Sequence, residues 1–591
     1  MKTNIYQAYI SDYQIKAKRQ DRFCLFIAII KFSVLCMFLW MLYNITFVSR
    51  DSNRFFILCI LFIVCVCLFL YHGYQQDTLM YLQEMIHINK RYIKRIEGTW
   101  TDFADGREFM DYEHLYTSDL DIFGKDSLYQ YINVAHTKEG KEKFANDLRG
   151  ASYSIEDIEK RQIAIEELSQ MHDFSFAFEY HAEKIIVQNQ QAFIHKIKQS
   201  KTPNIPSFLY ALRHTAFVSV VMLFIVTTWN VRTLTMPLIG LLVIQSLLWI
   251  YMLLKANGFL SVGDNLNAYF RHFAALFSLM ETTKFQSEYL EKQQDIMFVE
   301  KDSASQQIKR LNTIMQMVNI RKNALLSLLF NVFLVWDVWC VYRLEKWMKQ
   351  NCDMLEDWFK SISEIESLLS FACFTRVCTH TSIPCVQQGD AFVAFDMAHP
   401  LIAENIRVAN DFSFTKEIHI ISGSNMSGKT TFLRTLGVNI ILAKNGARVC
   451  AKKLQTPVFH LVSSMRIYDD LNAGISTFYQ ELRKIKEIVR MVEKEPQTLF
   501  LIDEIFKGTN SSDRIDGAKK IIHRLYKQCA CGFLTTHDLA MCTYEDDTMV
   551  HNWHFEECIK SNEMSFDYKI KKGIATTTNG EFLMRLLSLI E

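Results

Sequence analysis

The stretch from Ile418 to Thr435, Ile-His-Ile-Ile-Ser-Gly-Ser-Asn-Met-Ser-Gly-Lys-Thr-Thr-Phe-Leu-Arg-Thr, limits what this chain can fold into more than any other part of it. An apolar run, Ile418 to Ile421, reads as a buried strand, and a helical pattern follows Lys429. Between them Gly423 to Thr430 fits G-x-x-x-x-G-K-[ST], the phosphate-binding loop. The glycines let backbone N–H groups close around a polyphosphate, Lys429 brings positive charge to the β- and γ-phosphates, and the Thr430 hydroxyl is placed to ligate Mg²⁺. Gly423, Ser424, Asn425, Met426, Ser427, Gly428, Lys429, Thr430 and Thr431 are therefore the expected nucleotide-binding residues, with ATP or GTP as the ligand. A strand–turn–helix of this kind predicts an α/β domain.

A nucleotide hydrolase also needs one carboxylate on the metal and another to position or activate water. Thr498-Leu-Phe-Leu-Ile-Asp503-Glu504 supplies both at the end of an apolar strand, with Asp503 expected beside Mg²⁺ and Glu504 as the general base. A further strand, from Cys531, ends in Thr535-Thr536-His537, and His537 is placed to sense or polarise the γ-phosphate; alone, such a histidine is more often a polar strand end.

Four separated motifs in order carry a resemblance. Ser422 to Thr431, then Asp469 to Phe478 with Glu481, then Ile502 to Thr509, then Thr535 to His537 resemble the ATPase domain of the MutS mismatch-repair family. His399-Pro400-Leu401 and Asn410-Asp411 are similar to its lead-in, and Tyr568 to Gly580 to its closing segment. The resemblance implies an ABC-type P-loop ATPase using ATP and Mg²⁺ and pairing head to tail as a homodimer. Ser476 of one subunit would then reach the γ-phosphate held by the other, and Asn425 matches the family's loop asparagine. Two departures bear on the subunit contact. Ser424 stands where the family usually has proline, and Asn510-Ser511-Ser512-Asp513-Arg514 replaces the family's Ser-Thr-x-Asp-Gly.

The remaining 400 or so residues read differently. After a basic leader, 1–22, Phe23 to Val48 and Phe55 to Tyr71 are apolar, each near or above the ~18–20 residues that cross a bilayer. They are expected to form a transmembrane hairpin over 23–72; a removed signal peptide is the weaker reading, since no A-x-A-like site ends the first run. A second hairpin is expected over 207–255, from Phe208 to Thr228 and Leu234 to Leu254. Lys90, Arg91, Lys94 and Arg95 follow the first pair, and Lys196, Lys198, Lys201 and Lys255 bracket the second. By the positive-inside tendency these face the cytosol, which leaves the ATPase there, in a bacterial-type plasma membrane. Asn323 to Val341 is also apolar, but Asp337 interrupts it and a helical pattern continues through Arg343, so a packed core helix is expected.

The remaining segments divide into a helical linker over 73–117, the first part of a MutS-like all-α core over 118–206, core and lever helices over 256–375, and the ATPase over 376–591. Ile158 to Leu168, with Arg161-Gln162, resembles a helix of the MutS core. The family's mismatch-reading domain is expected to be missing, since no Phe-x-Glu occurs in the first 120 residues. Little chain remains for a DNA clamp, and no helical dimerisation tail is expected after the ATPase.

A net charge of only +1 argues against a chain basic all over, so DNA contact would come from local patches. Fifteen scattered cysteines read as reduced thiols. Cys542, His551, His554 and Cys558 can be drawn as a zinc site, but Thr548 to Phe555 alternates as a strand, so no structural metal is expected there. The function this reading favours is a membrane-anchored, ATP-dependent DNA-binding protein related to mismatch repair. The alternatives are an ABC-like membrane ATPase acting on a protein or lipid, and a scaffold using nucleotide as a switch.

Overall fold

The computed structural model describes residues 2–47, 52–150, 152–185, 214–229, 231–260, 267–299, 302–424, 426–466, 477–506, 511–543, 550–560 and 563–575. The chain divides into two compact units, Met1–Phe103 with Ser175–Tyr180, and Ala104–Phe174 with His181–Glu591.

The first unit is built on two long helices, α1 (Lys2–Phe47) and α2 (Ser52–Ile96), packed along each other. The basic leader is thus the first part of α1, and α2 runs on through the basic cluster at Lys94 and Arg95. Where both helices are apolar on every face they leave Phe26, Phe32, Trp40, Phe62 and Leu70 exposed, which in water would be costly over so wide an area. Polar pairs lock the register: Gln20 Nε2 donates to Gln75 Oε1 at 2.7 Å, and Lys31 Nζ lies 3.4 Å from His72 Nδ1. Nearer the base Tyr6 stacks on Tyr92, whose hydroxyl bonds the buried Glu179 carboxylate.

The second unit begins with helices α3 (Leu128–Ile132), α4 (Lys138–Leu148) and α5 (Ile155–Gln170), and α6 (His172–Glu183) lies partly in each unit. Then come α7 (Thr215–Trp229), α8 (Thr235–Leu260), α9 (Asn267–Thr282), α10 (Glu288–Asp295), a short hairpin of β1 (Phe298–Val299) and β2 (Asp302–Ser303), α11 (Ala304–Asn319), α12 (Ala324–Leu334), α13 (Trp336–Asn351) and α14 (Leu355–Val377). Helix α14 is buried along almost its whole length and receives α4 and α5. Small residues permit the approach: a Cβ on Gly140 would fall 2.0 Å from Glu366 Oε2. That buried carboxylate accepts the Thr137 N–H at 3.0 Å and the His136 N–H at 2.8 Å, closing the start of α4.

The helix expected across Asn323 to Val341 is two helices meeting at 85°. Val335 takes a left-handed φ of 51°, and the Asn331 side chain accepts the Asp337 N–H at 2.8 Å. Buried Asp337 pairs with Arg321 at 3.2 Å, so the acid that interrupts the apolar run stabilises a bend. Among the described residues three helices, Lys2–Phe47, Phe55–Ile96 and Thr235–Ala256, are long and apolar enough to cross a membrane, and α12 with α13 would make a fourth if the bent pair is one span. The first arm of the second expected hairpin is described only from residue 214, as α7.

The C-terminal part is α/β with mixed sheets. One sheet runs β3 (Cys385–Val386), β7 (Lys453–Thr456), β4 (Phe392–Met397), β5 (Asn410–Phe414). The other has the order β12 (Glu563–Lys572), β11 (Val550–Lys560), β6 (Ile418–Ser422), β10 (Cys531–Thr536), β9 (Thr498–Asp503), β8 (His460–Ser464). Strands β11 to β8 in that order are parallel, and β12 closes the edge antiparallel. Parallel strands covered on both faces are buried along their length and mostly apolar, as β6, β9 and β10 are. Three helices complete the domain: α15 (Lys429–Lys444), α16 (Thr477–Lys494) and α17 (Ser511–Lys527). Ile420, Phe500, Ile502 and Leu534 pack with Ile488 and Val492 of α16 and Ile522 and Leu525 of α17.

Candidate active site

Strand β6 ends at Ser422, whose hydroxyl donates to Trp553 O at 3.2 Å and accepts the Ala575 N–H at 3.0 Å. The chain then turns through left-handed conformations at Gly423 (φ 144°), Met426 (φ 74°) and Gly428 (φ 106°) before α15 starts at Lys429. Glycine is required by contact as well as by angle. A Cβ at Gly423 would lie 3.1 Å from Phe555 O, and one at Gly428 3.1 Å from the Tyr568 ring. Lys429 folds over the loop and donates to Gly423 O and Ser424 O, both at 2.7 Å.

The parallel register of β9 and β10 sets Asp503 opposite Thr535. Thr430 Oγ1, one residue into α15, lies 3.0 and 2.9 Å from the two Asp503 carboxylate oxygens, and Thr535 Oγ1 donates to Asp503 Oδ1 at 2.6 Å. The Glu504 N–H donates to Thr535 Oγ1 at 3.1 Å and to its carbonyl at 3.2 Å. At φ 57° Glu504 leaves the strand in a left-handed turn, so successive carboxylates diverge. His537 Nδ1 is 3.6 Å from Glu504 Oε1, beyond hydrogen-bond length.

Of these groups Lys429, Thr430 and Glu504 form the polar side of a cavity of about 550 Å³ whose apolar walls include Ile406, Phe555 and Tyr568. Asn410 fixes that wall by donating to Tyr568 O at 3.0 Å and accepting the Ile570 N–H at 2.9 Å. Burial, with Arg434 nearby, pushes the His399 imidazole down to about 4. The buried Ser424 and Ser427 hydroxyls that line the cavity have no hydrogen-bond partner among the described residues, as expected of groups that face a polar ligand. The glycine cradle, the lysine and a hydroxyl–carboxylate pair suited to a hard cation fit a nucleotide triphosphate with Mg²⁺. A larger hollow of about 680 Å³, lined by His380, Arg407 and Cys450, contains none of the motif residues, so chemistry rather than size selects the site.

Two contacts tie this site to the helical region. Asp119 is buried and accepts Ser463 Oγ at 2.8 Å, the Met465 N–H at 3.2 Å and the Arg466 N–H at 2.9 Å, holding the exit of β8. Asp121 pairs with Arg434 of α15 at 2.8 Å and with Arg466 at 2.5 Å, while Leu120 lies so close to α15 that a Cβ on Gly437 would meet it at 2.6 Å. At the other end of α15, Arg161 Nε donates to Asn445 O at 3.1 Å and Asn445 Nδ2 to Asp147 O at 3.1 Å. The wholly buried Arg161 guanidinium also pairs with Asp147 and with Glu364 of α14 and lies 4.3 Å from the Tyr153 ring centre. Burial opposes ionisation of Glu364, but Arg161 and Lys143 outweigh it and hold its carboxyl below the usual range.

Of the residues expected from the sequence, Gly423, Ser424, Met426, Ser427, Gly428, Lys429, Thr430, Thr431, Asp503, Glu504 and His537 come together here. Asn425 and Ser476 lie outside the described residues. Sequence reasoning passed over Thr535 as the bridge between Asp503 and Glu504, and over the pair Asp119 and Asp121. The signal for the second was a charged pair around a leucine in a stretch otherwise read only as core.

Residues 419–589 match MutS domain V. The DNA mismatch repair protein MutS of Lysinibacillus sphaericus is 29% identical over 240 residues, 39% of this chain and 28% of that protein. That of Listeria welshimeri is 29% identical over 256 residues, 42% of this chain and 29% of the relative, and that of Streptococcus thermophilus 26% over 257 residues, 42% and 30%. The match thus spans less than a third of the length of these relatives.

Proposed function

We propose, from the match of residues 419–589 to MutS domain V, that the chain is a membrane-anchored, Mg²⁺-dependent ATPase of the MutS family. The observation that carries this reading is the convergence of Lys429, Thr430 and Glu504 on one cavity beside the glycine turn, with Asp503 held against Thr430. Lys429 exchanges its two loop carbonyls for phosphate oxygens, a charge-assisted pairing stronger than the bonds it leaves. Backbone N–H groups at the start of α15 point at the same charge. Mg²⁺, held by Thr430 and Asp503, would supply charge neutralisation at the β- and γ-phosphate oxygens. Thr535 keeps Asp503 oriented and, through the Glu504 N–H, aims the Glu504 carboxylate into the cavity, where it accepts a proton from the attacking water. His537 stands behind Glu504, close enough to tighten onto it or onto the γ-phosphate when the site closes.

Closure is proposed to come from a second subunit whose Ser476 reaches the γ-phosphate, making ATP the glue of a homodimer and hydrolysis its release. The Arg161, Asp119 and Asp121 contacts would carry that motion from α15 into the helical region. DNA is the partner that the relatives' mismatch-repair names suggest. The apolar helices favour a second reading, an ABC-like membrane ATPase acting on a lipid or protein without DNA. The test is phosphate release from MgATP by the full chain in detergent, with and without duplex DNA across a salt series. Turnover abolished by chelating Mg²⁺ is expected; salt-sensitive stimulation by DNA supports the first reading and indifference to DNA the second. Absence of turnover in every condition would contradict both.

A further inference from the structure

We propose that the groove between α11 and α13 binds the phosphate headgroup of an anionic phospholipid, with α12 sunk into the adjoining leaflet; this rests on the membrane reading above. The segment from Ala304 to Asn351 holds seven Lys and Arg against two acids, whereas the whole chain is balanced to +1. The charges are segregated around an apolar helix: Arg321 and Lys322 precede α12, and Arg343, Lys346 and Lys349 follow it on α13. Helix α12 leaves Leu325, Leu328 and Leu329 exposed and packs its other side on α7 and on α8, which is itself long and apolar enough to cross a membrane. Ser219 of α7 donates to Phe333 O of α12 at 2.9 Å.

With 11 residues α12 is about 16 Å long, roughly half the ~30 Å hydrocarbon core, so it can enter one leaflet but not cross. The 85° bend keeps α13 from continuing α12, and its start is held against the end of α11, where Arg321 pairs with Asp337 and Trp336 Nε1 donates to Met317 O at 2.9 Å. The basic residues before and after α12 therefore lie on one side of it, the side we place at headgroup level. There α11 and α13 enclose a groove of about 480 Å³ lined by Arg310, Arg343, Lys346 and Gln350. Trp347 Nε1 holds its walls together by donating to Gln307 O at 2.9 Å. Arg310 is engaged by Asp302 at 2.7 Å, which leaves Arg343, beside Met317 Sδ and the Trp339 ring, and Lys346 as the cations best placed for an incoming phosphate. A basic groove beside a half-length apolar helix has the complementarity of an anionic lipid, which offers charge and acyl chain together.

The experiment reconstitutes the full chain into phosphatidylcholine vesicles with or without phosphatidylglycerol and counts, by native mass spectrometry after mild delipidation, the phosphatidylglycerol kept. Wild type is expected to retain it selectively. Arg343→Ala with Lys346→Ala should lower the preference about thirtyfold, as about 1 kcal/mol per cation implies, and Arg343→Lys with Lys346→Arg should restore it. Inorganic phosphate in excess should not displace it, since the acyl chains add to the binding. Insertion into both vesicles without preference, or a preference unchanged in the double alanine variant, overturns the headgroup site and leaves the membrane reading standing. Failure to insert into either vesicle removes both. Displacement by duplex DNA, with DNA binding lost in the double alanine variant, would make the groove a nucleic-acid contact and overturn the proposal.

Discussion

Arg161 donates from Nε to the carbonyl of Asn445, at the end of the phosphate-loop helix, while the same guanidinium pairs with Glu364 in the middle of α14. A single buried cation therefore links the last turn of α15 to the helix that organises the core. Arg161→Ala would remove one of the two cations that hold the buried Asp147 and Glu364, leaving only Lys143 to pair with both. It is expected to cost about 3–5 kcal/mol, read as a large fall in the thermal midpoint of the detergent-solubilised protein. A shift within the error of the measurement would show that the network adds nothing.

Gly446 sits just past that helix end at φ 78°, where a Cβ would come within 3.0 Å of Ile158 O and 3.1 Å of Gln162 N. Those are backbone atoms of α5 and cannot turn aside. Gly446→Ala is expected to destabilise by more than about 1 kcal/mol, whereas Gly389→Ala, whose Cβ would meet nothing within 4 Å, carries only the strain of its φ. Equal losses in the two would mean that α5 and α15 are less closely joined.

His399 gives the fold an acid sensitivity. Its imidazole titrates near 4 when folded, below the ordinary 6.5, so the unfolded chain binds the proton first and stability present above pH 6.5 falls as pH drops toward 4. At pH 5.5 the loss from this group is about 1 kcal/mol relative to pH 7.5. His399→Asn should flatten the dependence of the thermal midpoint across that window. A slope unchanged in the variant would assign the sensitivity to other groups.

The phosphate loop and the Asp503–Glu504 strand end were legible because each is contiguous in sequence and is framed by apolar runs. The contacts that orient them were not, since Thr535 reaches Asp503 from 32 residues away and Asp121 reaches Arg434 from more than 300. Hydropathy found α1 and α2 but misread Asn323 to Val341 as one helix. Asp337 interrupts an apolar run in any case, and only its pairing with Arg321, together with the left-handed Val335, reveals a corner. The head-to-tail role of Ser476 rests on resemblance alone.

The proposed pair of membrane hairpins has its own consequence. In a cysteine-depleted background, an impermeant thiol reagent added outside the cell should modify a cysteine placed at Asn230, between α7 and α8, and spare one placed at Asn579. The reverse pattern would refute a cytosolic ATPase.

Sharing of the site between subunits is tested by mixing. Subunits with Lys429→Ala and subunits with Ser476→Arg should each be inactive, yet a mixed dimer retains one intact composite site and should recover part of the turnover. No recovery would mean that each chain completes its own site.

The central claim, that Lys429 binds phosphate and Glu504 moves the proton, is tested most directly by measuring ATP binding and phosphate release side by side in two variants. Lys429→Ala is expected to lose both, since it removes the cation that pairs with the phosphates in the ground state. Glu504→Gln should bind ATP about as well as the wild type while turnover falls by about 10²–10⁴-fold, the usual contribution of a general base. Equal loss of binding in both variants, or undiminished turnover in Glu504→Gln, would contradict the assignment.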